Sequence, residues 1–111
     1  MTMAHSILPT ELHEALLKQV PLRLIDVRQP AEHAFCSLPN SVLIPLPELE
    51  DSMDQLNPWR NEQFVVYCHH GIRSLQAISQ LRSHGFTRLT NLAGGIDRWS
   101  REVDSTVPRY Q

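Results

Sequence analysis

The sequence predicts an α/β domain built on a mostly parallel sheet. Two patterns carry that reading. Short β-rich runs alternate with stretches of helical periodicity along the chain. The run Phe64-Val65-Val66-Tyr67 is apolar on both sides, as a strand buried centrally in a parallel sheet must be. Length sets the scale: 111 residues, 41% hydrophobic and 20% charged, suit one folded core with no room for a second. No repeat, low-complexity tract or charge run marks a boundary, so residues 1–111 are expected to form a single domain.

The elements follow in order. Over 11–19, Leu12, Ala15, Leu16 and Val20 share a helical face, with Thr10 as the expected cap and Pro21 as the stop. Leu22, Leu24 and Ile25 predict a buried strand over 22–27, and Pro30 suits the first turn of a short helix reaching Phe35. Val42-Leu43-Ile44 is a short strand closed by Pro45 and Pro47; Leu46, Leu49, Met53 and Leu56 then recur at helical spacing before Pro58. After the central strand comes a non-periodic segment, 68–73. A helix is expected over 74–84, with Leu75, Ile78 and Leu81 inward and Gly85 just past its end. Residues 89–92 predict a last strand, Gly94-Gly95 a tight turn rather than a phosphate loop, and 96–101 a short helix carrying Trp99. Trp59, Trp99, Phe64, Phe86 and Leu92 are expected in or near the core.

Composition excludes several partners. Ten Lys and Arg against twelve Asp and Glu give a formal charge of −2, which argues against a nucleic-acid ligand. The longest apolar runs, 42–46 and 64–68, are too short to cross a bilayer. The opening Met1-Thr2-Met3-Ala4-His5 lacks the pattern of a signal peptide. The expected compartment is a reducing cytoplasm, where the two cysteines stay unpaired.

In an open α/β sheet, ligands bind beyond the carboxyl ends of the strands. Cys68 stands there, opening the segment Cys68-His69-His70-Gly71-Ile72-Arg73-Ser74. A loop that aims successive N–H groups at one point needs a residue free to take positive φ, which Gly71 supplies. The following helix adds positive potential at its N-terminus, and a thiolate placed there is stabilised as a nucleophile. A lone cysteine after a strand is usually a small buried hydrophobe. Two histidines, a glycine and an arginine crowded behind it favour chemistry instead.

These residues carry a resemblance. Leu24-Ile25-Asp26-Val27-Arg28 with Glu32, then Leu38-Pro39, Ile44-Pro45, Val65-Val66-Tyr67-Cys68, Asn91-Leu92-Ala93-Gly94-Gly95-Ile96 and Trp99 form an ordered set that resembles a single-domain rhodanese. The resemblance implies a small five-stranded sheet flanked by helices on both faces. It also implies a sulfurtransferase with Cys68 as persulfide carrier and His69, His70, Gly71, Ile72 and Arg73 as active-site loop. The substrates so implied are a small sulfur-donor anion such as thiosulfate and a thiol or protein acceptor, with no cofactor. The related phosphatase loops resemble a Cys-x5-Arg cradle, whereas Cys68 and Arg73 here bracket four residues, a smaller ring suited to one sulfur atom. A non-catalytic module on the same fold is the other alternative.

Supporting roles remain open at this level. Asp26 and Arg28 lie on one face at the end of their strand; the resemblance implies that they hold the loop, and an ordinary ion pair is the other reading. Glu32 is expected to pair with Arg73, which either contacts an anionic donor or serves as scaffold; Ser74 opens the helix beside it. No CxxC or HxxxH spacing accompanies Cys68-His69-His70, so no metal is expected. His5, His13, His33 and His84 are read as surface residues. Cys36-Ser37 departs from the Gly-His that relatives show before the apolar-Pro pair. Cys36 is either a resolving thiol for Cys68 or, the preferred reading, a passive cysteine.

Overall fold

The computed structural model describes residues 5–111, so the leader reading of residues 1–4 lies outside the described residues. The elements run β1 (Ser6–Ile7), α1 (Pro9–Leu17), β2 (Arg23–Asp26), α2 (Pro30–Phe35), β3 (Val42–Leu43), α3 (Met53–Leu56), β4 (Phe64–Tyr67), α4 (Ile72–Ser83), β5 (Leu89–Leu92) and α5 (Gly95–Glu102). All strand pairs are parallel, in the order β1-β5-β4-β2-β3, which puts β4 in the middle as its two-sided apolar sequence requires. No helix of the described residues is long and apolar enough to cross a membrane.

Alternation along the strands splits the core into two layers. Ile25, Phe64, Val66 and Cys68 face one layer with Ala77, Ile78 and Leu81 of α4 and Leu49 and Leu56. Leu24, Val65, Tyr67 and Leu92 face the other, with Leu12 of α1 and Ile96 and Trp99 of α5. The helices therefore cover both faces.

Several boundaries differ from the sequence reading. Leu8, not Thr10, caps α1: Pro9 at the first helical position has no N–H to leave unpaired, and Glu11 accepts the Leu8 N–H at 2.8 Å. The helix ends at Leu17 before Pro21 is reached, because Gln19 turns to φ +56° and its N–H bonds back to the Leu16 carbonyl. The stretch from Leu46 to Trp59 is three 3-10 turns with one α turn, consistent with Pro45, Pro47 and Pro58 interrupting it. Strand β1, two residues long, is too short to register as a pattern. Helix α4 begins at Ile72 rather than Ser74, and Leu75 points to solvent at 55% exposure while Ser74 and Ala77 take the inner positions.

Candidate active site

The parallel strands β2 and β4 end side by side, Asp26 against Tyr67, so the chain exits of both open at one edge. Cys68 leaves β4 facing the α4 layer, 1% exposed. The connection to α4 is only 68–71. Gly71 closes it at φ +108°, a conformation side chains resist, and that turn sends its N–H to Cys68 Sγ at 3.1 Å. The Ser74 N–H, in the first turn of α4, donates to the same sulfur at 3.4 Å. Two main-chain donors and the end of a twelve-residue helix thus meet at one atom. The thiol itself donates to Ser74 Oγ at 3.5 Å, and Ser74 donates onward to Asn91 Oδ1 on β5 at 2.5 Å.

The main chain of the loop is pinned from behind by α5. Ile96 and Asp97 donate their N–H groups to the carbonyls of Cys68 and His69, at 2.9 and 3.1 Å. Gly95 makes this approach possible: at φ +63°, a Cβ there would overlap both carbonyl oxygens. The Gly94-Gly95 turn is therefore a seat for the cysteine loop, which its sequence signal showed only as a turn.

Charged side chains surround the loop without entering it. Glu32 takes Arg73 in a two-pronged pair, Nη1 to Oε1 at 2.6 Å and Nη2 to Oε2 at 2.9 Å. The bond from Arg73 is the main cause holding Glu32 down to about 2, and Glu32 in turn raises Arg73. Arg73 acts as a brace between α2 and α4. Asp26 and Arg28 are fully buried and joined at 2.7 and 2.9 Å. Burial opposes the Arg28 charge, but the bonds to Asp26 and Tyr110 outweigh it, and the pKa rises. Arg28 also donates to the Cys36 carbonyl at 2.6 Å, so the pair fastens the end of α2 to the strand edge. His33 is not merely a surface residue, since its Nδ1 lies 2.7 Å from the buried Asp26, whereas His84 makes a surface pair with Glu50 at 2.8 Å. Cys36 and Cys68 are both free, and Cys36 is buried with its sulfur 3.8 Å from Arg28.

The two histidines differ. His70 lies on the rim at 61% side-chain exposure, whereas His69 is 8% exposed and its pKa is lowered by burial and by its neighbour His70. Nε2 of His69 is buried without a hydrogen-bond partner among the described residues. His69, His70 and Asp97 bring one ligand atom each within 4.8 Å of one another, a grouping that consecutive histidines did not suggest in the sequence. Asp97 is already engaged by Arg109 at 2.9 Å and Arg101 at 3.3 Å, and these guanidiniums oppose a metal cation there. Asn91, Gly95, Asp97 and Tyr110 belong to the site and were not singled out for it. The Asn-Leu-Ala-Gly-Gly run that ends the last strand was the available signal for the first two.

A family model described as Rhodanese-like domain matches residues 8–102. A protein named Sulfurtransferase from Allochromatium vinosum is 32% identical over 99 residues, 89% of this chain and 91% of the relative. The Adenylyltransferase and sulfurtransferase uba4 of Ogataea parapolymorpha is 35% identical over 97 residues, 87% of this chain. The chain spans 25% of that relative's length, and 35% of the Rhodanese-like/PpiC domain-containing protein 12, chloroplastic, of Arabidopsis thaliana, to which it is 37% identical over 107 residues, 90% of this chain. Among solved structures, the rhodanese-like domain protein from Staphylococcus aureus superposes with a TM-score of 0.81 at 30% identity, covering 97% of this chain and 100% of that one. The human single-domain sulfurtransferase TSTD1 gives 0.76 at 29%, covering 90% and 98%. Family model, relatives and solved folds agree, and the chain belongs to the rhodanese-like domain family.

Proposed function

We propose that this chain is a sulfurtransferase that carries sulfane sulfur on Cys68 as a persulfide. The observation that carries the reading is the convergence of the Gly71 and Ser74 N–H groups on Cys68 Sγ at the end of the central strand. The Cys68 thiolate attacks the outer sulfur of a donor such as thiosulfate. A new S–S bond forms, the donor's own S–S bond breaks, and sulfite leaves with the electron pair. An acceptor nucleophile (cyanide in an assay, a thiol or protein cysteine in a cell) then takes the terminal sulfur and returns Cys68 as thiolate. Amide donors aimed at a fixed point stabilise the sulfur anion in each step, with no strong general base required. The kinetics are ping-pong.

Two features favour sulfur over a phosphate ester. Four residues separate Cys68 from Arg73, and the Arg73 guanidinium is held by Glu32 rather than offered to an oxyanion. The free thiols at Cys36 and Cys68 suit a reducing compartment, the cytoplasm being our reading. Mass spectrometry of the intact protein after exposure to thiosulfate tests the function. A gain of one sulfur, removed by cyanide and absent in Cys68→Ser, is expected. An unmodified mass with every sulfane donor tried overturns the reading.

A further inference from the structure

Residues 103–111 follow α5 and lie past the last residue of the family match. They fold back over the sheet. Val103 and Val107 pack on the α1/α5 layer, and Ser100 Oγ donates to the Val107 carbonyl at 2.5 Å. Arg109 then pairs with Asp97 through both carboxylate oxygens, at 2.9 and 3.3 Å. The Tyr110 ring stacks on His69, centroids 3.9 Å apart and planes 9° from parallel, with Phe35 edge-on to it at 5.8 Å. Its hydroxyl donates to Glu32 Oε2 at 2.5 Å and accepts from Arg28 Nη1 at 2.9 Å.

We propose that residues 103–111 are a strap that sets the shape of the cysteine loop, with Tyr110 as its positioning residue. The argument is one of connectivity. Tyr110 touches His69, the residue after Cys68, and the same side chain bonds the carboxylate that holds Arg73. Both flanks of the loop therefore answer to one residue. Arg109 supports this from the other side, since Asp97, which it grips, pins the His69 carbonyl through its own N–H. The Gly71 N–H reaches sulfur only if the peptide planes between His69 and Gly71 keep their orientation, and hydrogen bonds weaken steeply with misalignment. A stacked ring restricts that rotation, and the hydroxyl bridge to Glu32 and Arg28 locks the ring in turn.

The test uses the full chain with Tyr110→Leu, Tyr110→Phe and Arg109→Ala. Its activity arm rests on the persulfide reading of Cys68; its spectroscopic arm does not. The readouts are Gly71 amide exchange and His69 ring-proton shifts by NMR, and persulfide formation with thiosulfate by mass. In Tyr110→Leu the His69 protons move downfield as the ring current is lost. Gly71 exchanges about tenfold faster, and sulfur loading slows about tenfold, the scale of one charge-assisted hydrogen bond. Tyr110→Phe keeps the stacked His69 shifts but lacks the hydroxyl bridge to Glu32 and Arg28, so its Gly71 exchange and loading rate fall between those of the parent and of Tyr110→Leu. Should the Leu variant not fold, Arg109→Ala decides by a smaller change in the same NMR signals. Gly71 exchange and His69 shifts equal to the parent in Tyr110→Leu, or in Arg109→Ala where the Leu variant does not fold, overturn the strap. A parent that loads no sulfur, with the NMR changes present, overturns the persulfide reading and leaves the strap standing.

Discussion

Two chain segments leave the sheet side by side, after β2 and after β4, and they use opposite chemistry. From the end of β2 onward the prominent groups are charged side chains, each with a fixed partner: Asp26 with Arg28, Arg28 also with the Cys36 carbonyl, Glu32 with Arg73. Beyond β4, the working groups are main-chain N–H donors around one sulfur. Side-chain charge here holds geometry, while the backbone surrounds the sulfur proposed to react. A guanidinium aimed at the sulfur would bring more charge but also more freedom, whereas amides fixed by a glycine turn and a helix end need no reorganisation during the reaction.

Substitutions at the two exits separate these roles, and the largest effect is expected at the sulfur. Cys68→Ser is expected to abolish sulfur loading by mass while the thermal midpoint stays near the parent's; Cys36→Ser, at the other exit, should load like the parent. Asp26→Asn comes next. It leaves the buried Arg28 charge uncompensated, and urea unfolding should show a loss of about 3–5 kcal/mol. Gly71→Ala follows. The added methyl meets nothing closer than Asn91 Nδ2 at 3.6 Å, so the cost is backbone strain at φ +108°, about 1–3 kcal/mol, with slower loading as the N–H swings off the sulfur.

Glu32→Gln gives the smallest effect, and it depends on pH. The Glu32 pKa is depressed in the fold from 4.5 to about 2. The stability this carboxylate contributes is therefore complete above pH 4.5 and is lost as pH falls through that window. Thermal melts should show a parent-to-variant gap at pH 7 that closes toward pH 2. A gap that persists undiminished in acid would mean that Glu32 acts through shape rather than charge.

Much of this was legible in the residues, and the limits have physical reasons. Pro30 marks the start of α2 and Gly85 follows the end of α4, because proline and glycine act locally. The Glu32–Arg73 pair was legible because opposite charges follow two strands whose carboxyl ends share one edge of a parallel sheet. Leu75 misled because periodicity counts apolar residues without knowing where a helix begins. With α4 opening at Ile72, the inner position went to Ser74, a polar residue whose value lies in its contacts with Cys68 and Asn91. Tyr110 was out of reach for a different reason. Its partners Arg28, Glu32 and His69 come from distant parts of the chain, and nothing near it in sequence announces them.

The sheet's outermost members also have a consequence of their own. Both β1 and β3 are two residues long, so each border offers hardly any free ladder for a stranger's backbone to extend. A fold whose longer strands all lie inside resists edge-to-edge self-assembly by brevity alone, leaving its surface composition free for other demands.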